Sequence, residues 1–246
     1  MGMLSMGDII KALYIAKKDI KEYYLKPPTI SWGIVFPVAF TLAFILKGGR
    51  HAWEIIPGLI ALALFFGTTS MAAASIVFER KIGSFERLLL FPISYTGIAL
   101  GKTLSSFMFG MVSLSATLIV VLPFILNVNA YSLLLIIVLV LSALMFSAFG
   151  VFVAFLIKDP TNTMMIFNSI RLPMIFLCGI FIPISSLPLP LQLIAFLLPL
   201  TYSVEATKFA INGKYDVVPP VLSIILMIIM TMILILLTSI KIRSTI

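Results

Sequence analysis

Residues 133–156 form an unbroken stretch of twenty-four residues with no charge and no proline. As an α-helix, a stretch of that length rises about 36 Å, enough to cross a hydrocarbon core of about 30 Å. A helix that is apolar on every side has to be surrounded by other helices or by lipid. The polarity does not alternate as it would in strands of a membrane barrel, so helices are the expected spanning elements. Comparable apolar stretches occupy residues 30–46, 55–77, 98–125, 163–182 and 221–240, with the fourth span extended to 133–157. Only 11% of the residues are charged and 61% are apolar, against about 25% charged in soluble domains. The expected fold is an all-α polytopic membrane protein with six transmembrane helices.

Before the first span, Ile9, Leu13, Ala16, Ile20 and Tyr23 recur at helical spacing, with Lys11, Lys17, Lys18, Lys21 and Glu22 mostly elsewhere round the helix. This predicts an amphipathic interfacial helix over residues 1–28, ended by Pro27-Pro28, followed by a six-span transmembrane region over 29–246. A solvated helix packed on a partner is the alternative. The early charges do not resemble a secretory signal. Between the last two spans, Pro183, Pro188, Pro190 and Pro199 divide residues 183–216 into apolar pieces too short to cross. Such pieces read as a re-entrant helix pair, or else as a seventh, kinked span.

Lysine and arginine distribution sets the expected orientation. With both termini cytoplasmic, twelve basic residues face the cytosol and four, Lys47, Arg50, Lys208 and Lys214, face outward, with Arg171 left aside. The plasma membrane is the expected location, with lipids as neighbours and no nucleic-acid partner.

Catalytic constellations are sparse. The only histidine, His51, sits in a predicted outer turn, and the only cysteine, Cys178, lies in an apolar run, where packing is its expected role. No histidine-based zinc site, disulfide or histidine-dependent triad is therefore available within the chain. Residues 97–103, GIALGKT, have three residues between the glycines where a phosphate-binding loop needs four, and Lys102 reads instead as marking the inner interface. Arg171 falls about 13 Å into the fifth span. It lines a passage for an anionic or amphiphilic cargo, pairs across a subunit contact, or snorkels to the inner surface. Glu205 and Lys208 are expected to form an exposed outer pair of little energetic weight. None of the nine Asp and Glu residues falls inside a predicted span. Energy is then expected from a soluble subunit rather than from an ion gradient.

The most charged interruption is Glu79-Arg80-Lys81-Ile82-Gly83-Ser84-Phe85-Glu86-Arg87-Leu88-Leu89, followed by Pro92-Ile93-Ser94 and Gly101-Lys102. Together with Cys178-Gly179-Ile180-Phe181-Ile182-Pro183 through Pro188, and Leu198-Pro199-Leu200-Thr201-Tyr202, it resembles the permease subunits of type-two ATP-binding-cassette exporters over nearly the whole chain. Cys178 stands where many members have serine, and Arg171 matches no family rule. The resemblance implies two permease chains, as a homodimer or heterodimer, assembled with two cytosolic ATPase subunits. The chain itself would need no cofactor, because ATP and magnesium would bind the partner, and it would not be an enzyme alone.

By the same resemblance, residues 78–96 are the cytoplasmic coupling segment. Glu79, Arg80, Gly83, Ser84, Phe85, Glu86, Arg87, Leu88 and Leu89 are its expected contact residues, and Pro183, Pro188 and Pro199 shape the re-entrant turn. Leu88, Leu89 and Phe91 can anchor in an apolar cleft while Glu79, Arg80, Glu86 and Arg87 set register. Glu79 and Glu86 share a face, as do Arg80 and Arg87, if the helix is continuous; Gly83 is the residue that can break it. The implied cargo is amphiphilic, drug-like, lipid or glycan. An ion- or proton-coupled carrier and an intramembrane enzyme are the alternatives from other classes.

Overall fold

The computed structural model describes residues 6–48, 52–125, 132–157, 159 and 162–244. The expected turn residues Gly49, Arg50 and His51, most of the 127–132 connection, and Lys158, Pro160 and Thr161 lie outside the described residues.

Among the described residues the chain is helical and contains no strand. Helix α1 (Met6–Tyr23) is followed by α2 (Pro27–Ile30), a π-helical turn over Ser31–Val35, and α3 (Phe36–Gly48), which together make the first span. Next come α4 (Ala52–Lys81), the short α5 (Ser84–Leu89), α6 (Tyr95–Ile125), α7 (Ser132–Leu156) and α8 (Thr163–Leu177). Helices α9 (Leu189–Leu197), α10 (Pro199–Asn212) and α11 (Pro220–Arg243) complete the chain. Among the described residues, five segments are long and apolar enough to cross a membrane: Pro27–Lys47, Glu54–Lys81, Tyr95–Pro123, Leu133–Leu156 and Pro220–Arg243. The expected fifth span is shorter than its apolar run, because α8 stops at Leu177. Gly179 adopts φ 84°, a left-handed conformation open to glycine at little cost, and it turns the chain out of the helix.

Helix α4 is the core. Its spanning window is entirely buried, against 28% for the first span and 17% for α11, which leaves those two to face lipid or another chain. Small residues let neighbours approach α4 closely: Gly67 lies against Gly110 and Ser113 of α6, and Gly150 of α7 against Thr69 and Ala72. Without water to drive helices together, such close packing and interhelical hydrogen bonds supply the association energy. Ser113 provides one bond, donating from Oγ to the Ala63 carbonyl at 3.1 Å.

The helices alternate between two ends. At one end the Arg80 guanidinium reaches the Ile157 carbonyl at 2.6 Å, tying α4 to the exit of α7. Ile242 near the end of α11 packs there with Phe85 and Phe155. At the opposite end Phe181 stacks near Phe44, and Val218 joins the main core. Helices α9 and α10 lie at that opposite end and meet at a bend of 90°. The prolines act there as their chemistry requires: Pro183 precedes a 3-10 turn, Pro188 precedes α9, and Pro199 opens α10, where its missing N–H costs nothing.

Helix α1 packs along α6, but through a different face from the expected stripe. Ala12, Ile15, Ala16, Asp19 and Tyr23 are buried, whereas Ile9, Ile10, Leu13 and Tyr14 are exposed. The helix thus has an inward face against protein and an outward apolar face suited to an interface.

Candidate functional site

The charged interruption divides into a buried root and an exposed tip. Helix α4 runs to Lys81, one turn beyond the apolar span, and this turn carries Glu79 into the protein. Glu79, Asp19 of α1 and Lys102 of α6 are all fully buried. Lys102 Nζ sits 2.6 Å from Glu79 Oε2 and 2.9 Å from Asp19 Oδ2. Lys18 also pairs with Glu79 from the half-exposed side, and Ser105 Oγ lies 3.3 Å from an Asp19 oxygen. Burial pushes the Asp19 carboxyl above its ordinary value, while Lys102 pulls it back. Three helices are therefore fastened by one desolvated ion cluster.

Against expectation, Glu79 is thus an internal tie and does not present its carboxylate on the surface, and Lys102 is buried in the same cluster.

Arg80 is also used internally, with its guanidinium 5.2 Å from the Phe155 ring centroid and 5.9 Å from that of Phe85. At Gly83 φ is 66°, which breaks the helix and starts α5 in a new direction. Glu79 and Glu86 therefore do not share a face. Ser84 is half-buried, with its Oγ 3.4 Å from the Glu79 carbonyl, and Phe85 is buried against Phe155. Leu88 and Leu89 are half-buried and pack inward. The surface is made by Glu86 and Arg87 together with Ile82, Leu90 and Phe91, which are 66%, 86% and 65% exposed. Of the expected apolar anchors only Phe91 is free to meet a partner, with Ile82 and Leu90 beside it. The tip is braced from α1, whose Lys11 reaches the Pro92 carbonyl.

Deeper in the bundle, Arg171 of α8 is 1% exposed and does not snorkel. Its Nη1 lies 3.2 Å from Ser70 Oγ of α4 and 3.4 Å from Asn168 Oδ1. The rings of Phe66 and Phe167 flank the guanidinium at 5.1 and 4.9 Å.

At the far end Glu205 is buried, contrary to the expected exposed position. Its Oε2 accepts from the backbone N–H groups of Asp216 at 2.7 Å and Val217 at 3.0 Å, with Val218 at 3.4 Å, and Lys208 stands 3.4 Å from Oε1. Asp216 in turn accepts from the backbone N–H and hydroxyl of Ser185, at 3.0 and 2.6 Å. Glu205 thus locks the loop after α10 back onto that helix, and Asp216 ties the loop to the turn before α9.

The spanning bundle, with a compact charged tip at one end and a bent helix pair at the other, defines a polytopic helical membrane protein. A family model described as "ABC-2 type transporter" matches residues 11–211, and the chain belongs to that family. It is similar to the probable multidrug ABC transporter permease YbhR of Escherichia coli K12, with 23% identity over 165 residues, 64% of this chain and 43% of that protein. The protein of the same name in Escherichia coli O157:H7 matches equally. The chain spans less than half the length of these relatives.

Proposed function

We propose that this chain is the membrane subunit of an exporter in the plasma membrane, driven by ATP hydrolysed on a separate cytosolic subunit that holds the ATP and magnesium. Two such chains, identical or related, would enclose the path, with both termini in the cytosol. The carrying observation is the exposed tip formed by Ile82, Glu86, Arg87, Leu90 and Phe91 and rooted in the buried Asp19–Lys102–Glu79 cluster. Its three exposed apolar side chains offer anchors for an apolar cleft, and Glu86 and Arg87 supply charges that set register.

The root makes the tip mechanically useful. A push on α5 is passed to α4, α6 and α1 together, because separating the buried charges of Asp19, Lys102 and Glu79 would leave each uncompensated. The membrane part also has little basis for ion coupling, since the fully buried carboxylates Asp19, Glu79 and Glu205 each have internal partners. The cargo reading is an amphiphile, drawn from drug-like, lipid or glycan classes. The test is co-purification of the ATPase with tagged chain, wild type against the Glu86→Lys and Arg87→Glu variants. Loss of the ATPase from the variants, with the permease still folded, is expected; undiminished association and transport would overturn the assignment.

A further inference from the structure

We propose that Arg171, with Ser70 and Asn168 behind it, is an anion-binding site inside the bundle that takes the single phosphate or carboxylate head of an amphiphile entering between α4 and α8. The inference rests on the transport reading above and names the charge class of its cargo. Arg171 uses only one nitrogen in the described structure. Nη1 faces Ser70 and Asn168, whereas Nε and Nη2 are buried without a hydrogen-bond partner. Those two atoms form one edge of the guanidinium, and their parallel N–H groups are the fork that grips two oxygens of a carboxylate or phosphate.

A buried guanidinium with an unoccupied edge is costly, and two aromatic faces compensate it only in part. That uncompensated cost is relieved when an oxyanion docks, so the site favours a ligand carrying one. A second copy of the chain is a poor source of the missing charge. Arg171 points inward to α4, while α8 turns Met165, Ile170, Leu172 and Phe176 outward. A bare inorganic anion is also disfavoured, because Phe66 and Phe167 wall the guanidinium and would strip its hydration without replacing it. An alkyl chain behind the anionic head suits those walls. Entry requires α8 to part from α4, and α8 is built for that: it is short, its neighbours include the small helices α9 and α10, and Pro173 removes one of its internal hydrogen bonds.

The test uses the full chain in nanodiscs of neutral phosphatidylcholine, with the thermal midpoint followed as dodecyl phosphate, inorganic phosphate or dodecyltrimethylammonium is added. Dodecyl phosphate is expected to raise the midpoint of the wild type, and the other two are not. Arg171→Met, which removes the unpaired charge, is expected to melt no lower than wild type and to lose the response. Arg171→Lys keeps the charge without the fork and is expected to need about tenfold more dodecyl phosphate. An unchanged response in Arg171→Met, equal stabilisation by inorganic phosphate, or a sharply lower midpoint for empty Arg171→Met would each overturn the proposal. No ATPase is present, so failure here is separate from failure of the exporter reading, which is judged by co-purification.

Discussion

Replacing Lys102 with Met is the sharpest probe of the buried root. The lysine is fully buried and stands 2.6 Å from Glu79 and 2.9 Å from Asp19, so its removal strands two carboxylates at once. Removing one partner of a buried ion pair costs about 3–5 kcal/mol. Twice that loss is not expected, for two reasons. Lys18 remains beside Glu79, and Asp19 can take up a proton, which burial already favours. Lys102→Met is therefore expected to lose about 3–5 kcal/mol. Lys18→Met, whose side chain is 34% exposed and screened by solvent, should lose less than about 1 kcal/mol. Combining Lys102→Met with Asp19→Asn and Glu79→Gln removes the uncompensated charges and should recover most of the loss. The assay is a sodium dodecyl sulfate titration of purified protein, followed by tryptophan fluorescence. Lys102→Met within about 1 kcal/mol of wild type, or a triple variant weaker than the single one, would refute a cluster held by mutual compensation.

Two further perturbations test other parts of the fold. A Cβ at Gly110 would lie 2.2 Å from Thr68 Cγ2, so Gly110→Ala should force α6 from α4 and cost about 1–3 kcal/mol, read in the same titration. Glu205→Ala removes the acceptor for the backbone N–H groups of Asp216 and Val217, and each stranded donor costs about 1–3 kcal/mol where it stays dry. Amides 216–218 should then exchange hydrogen faster, while Glu205→Gln, which keeps one carbonyl oxygen, should change the rate less.

The spans are legible in sequence because lipid demands length and apolarity from each helix, and residues 133–156 meet that demand without ambiguity. The bent helix pair is legible from Pro188 and Pro199, which can open helices but not continue them. The ion cluster is not, because charge normally marks the end of a span. Glu79 and Lys102 both sit where an interface is expected, and only the three-dimensional meeting of α1, α4 and α6 turns them inward. One signal was available: Asp19 falls at helical spacing with Ala12, Ile15, Ala16 and Tyr23, a carboxylate on a stripe otherwise apolar or aromatic. In the charged tip, Phe85, Leu88 and Leu89 are indistinguishable by residue type from Ile82, Leu90 and Phe91. The left-handed turn at Gly83 decides which of them pack inward.

On the proposed function, ATP-driven motion enters through the exposed tip. The most direct measurement is site-specific cross-linking of that tip to the co-purifying ATPase, made practical because the native cysteine, Cys178, is fully buried. A short cysteine-to-amine reagent attached at Phe91→Cys is expected to join permease to ATPase, and one attached at Leu193→Cys on α9, at the opposite end, is not. Absence of the product at residue 91, or equal yield from residue 193, would contradict the account.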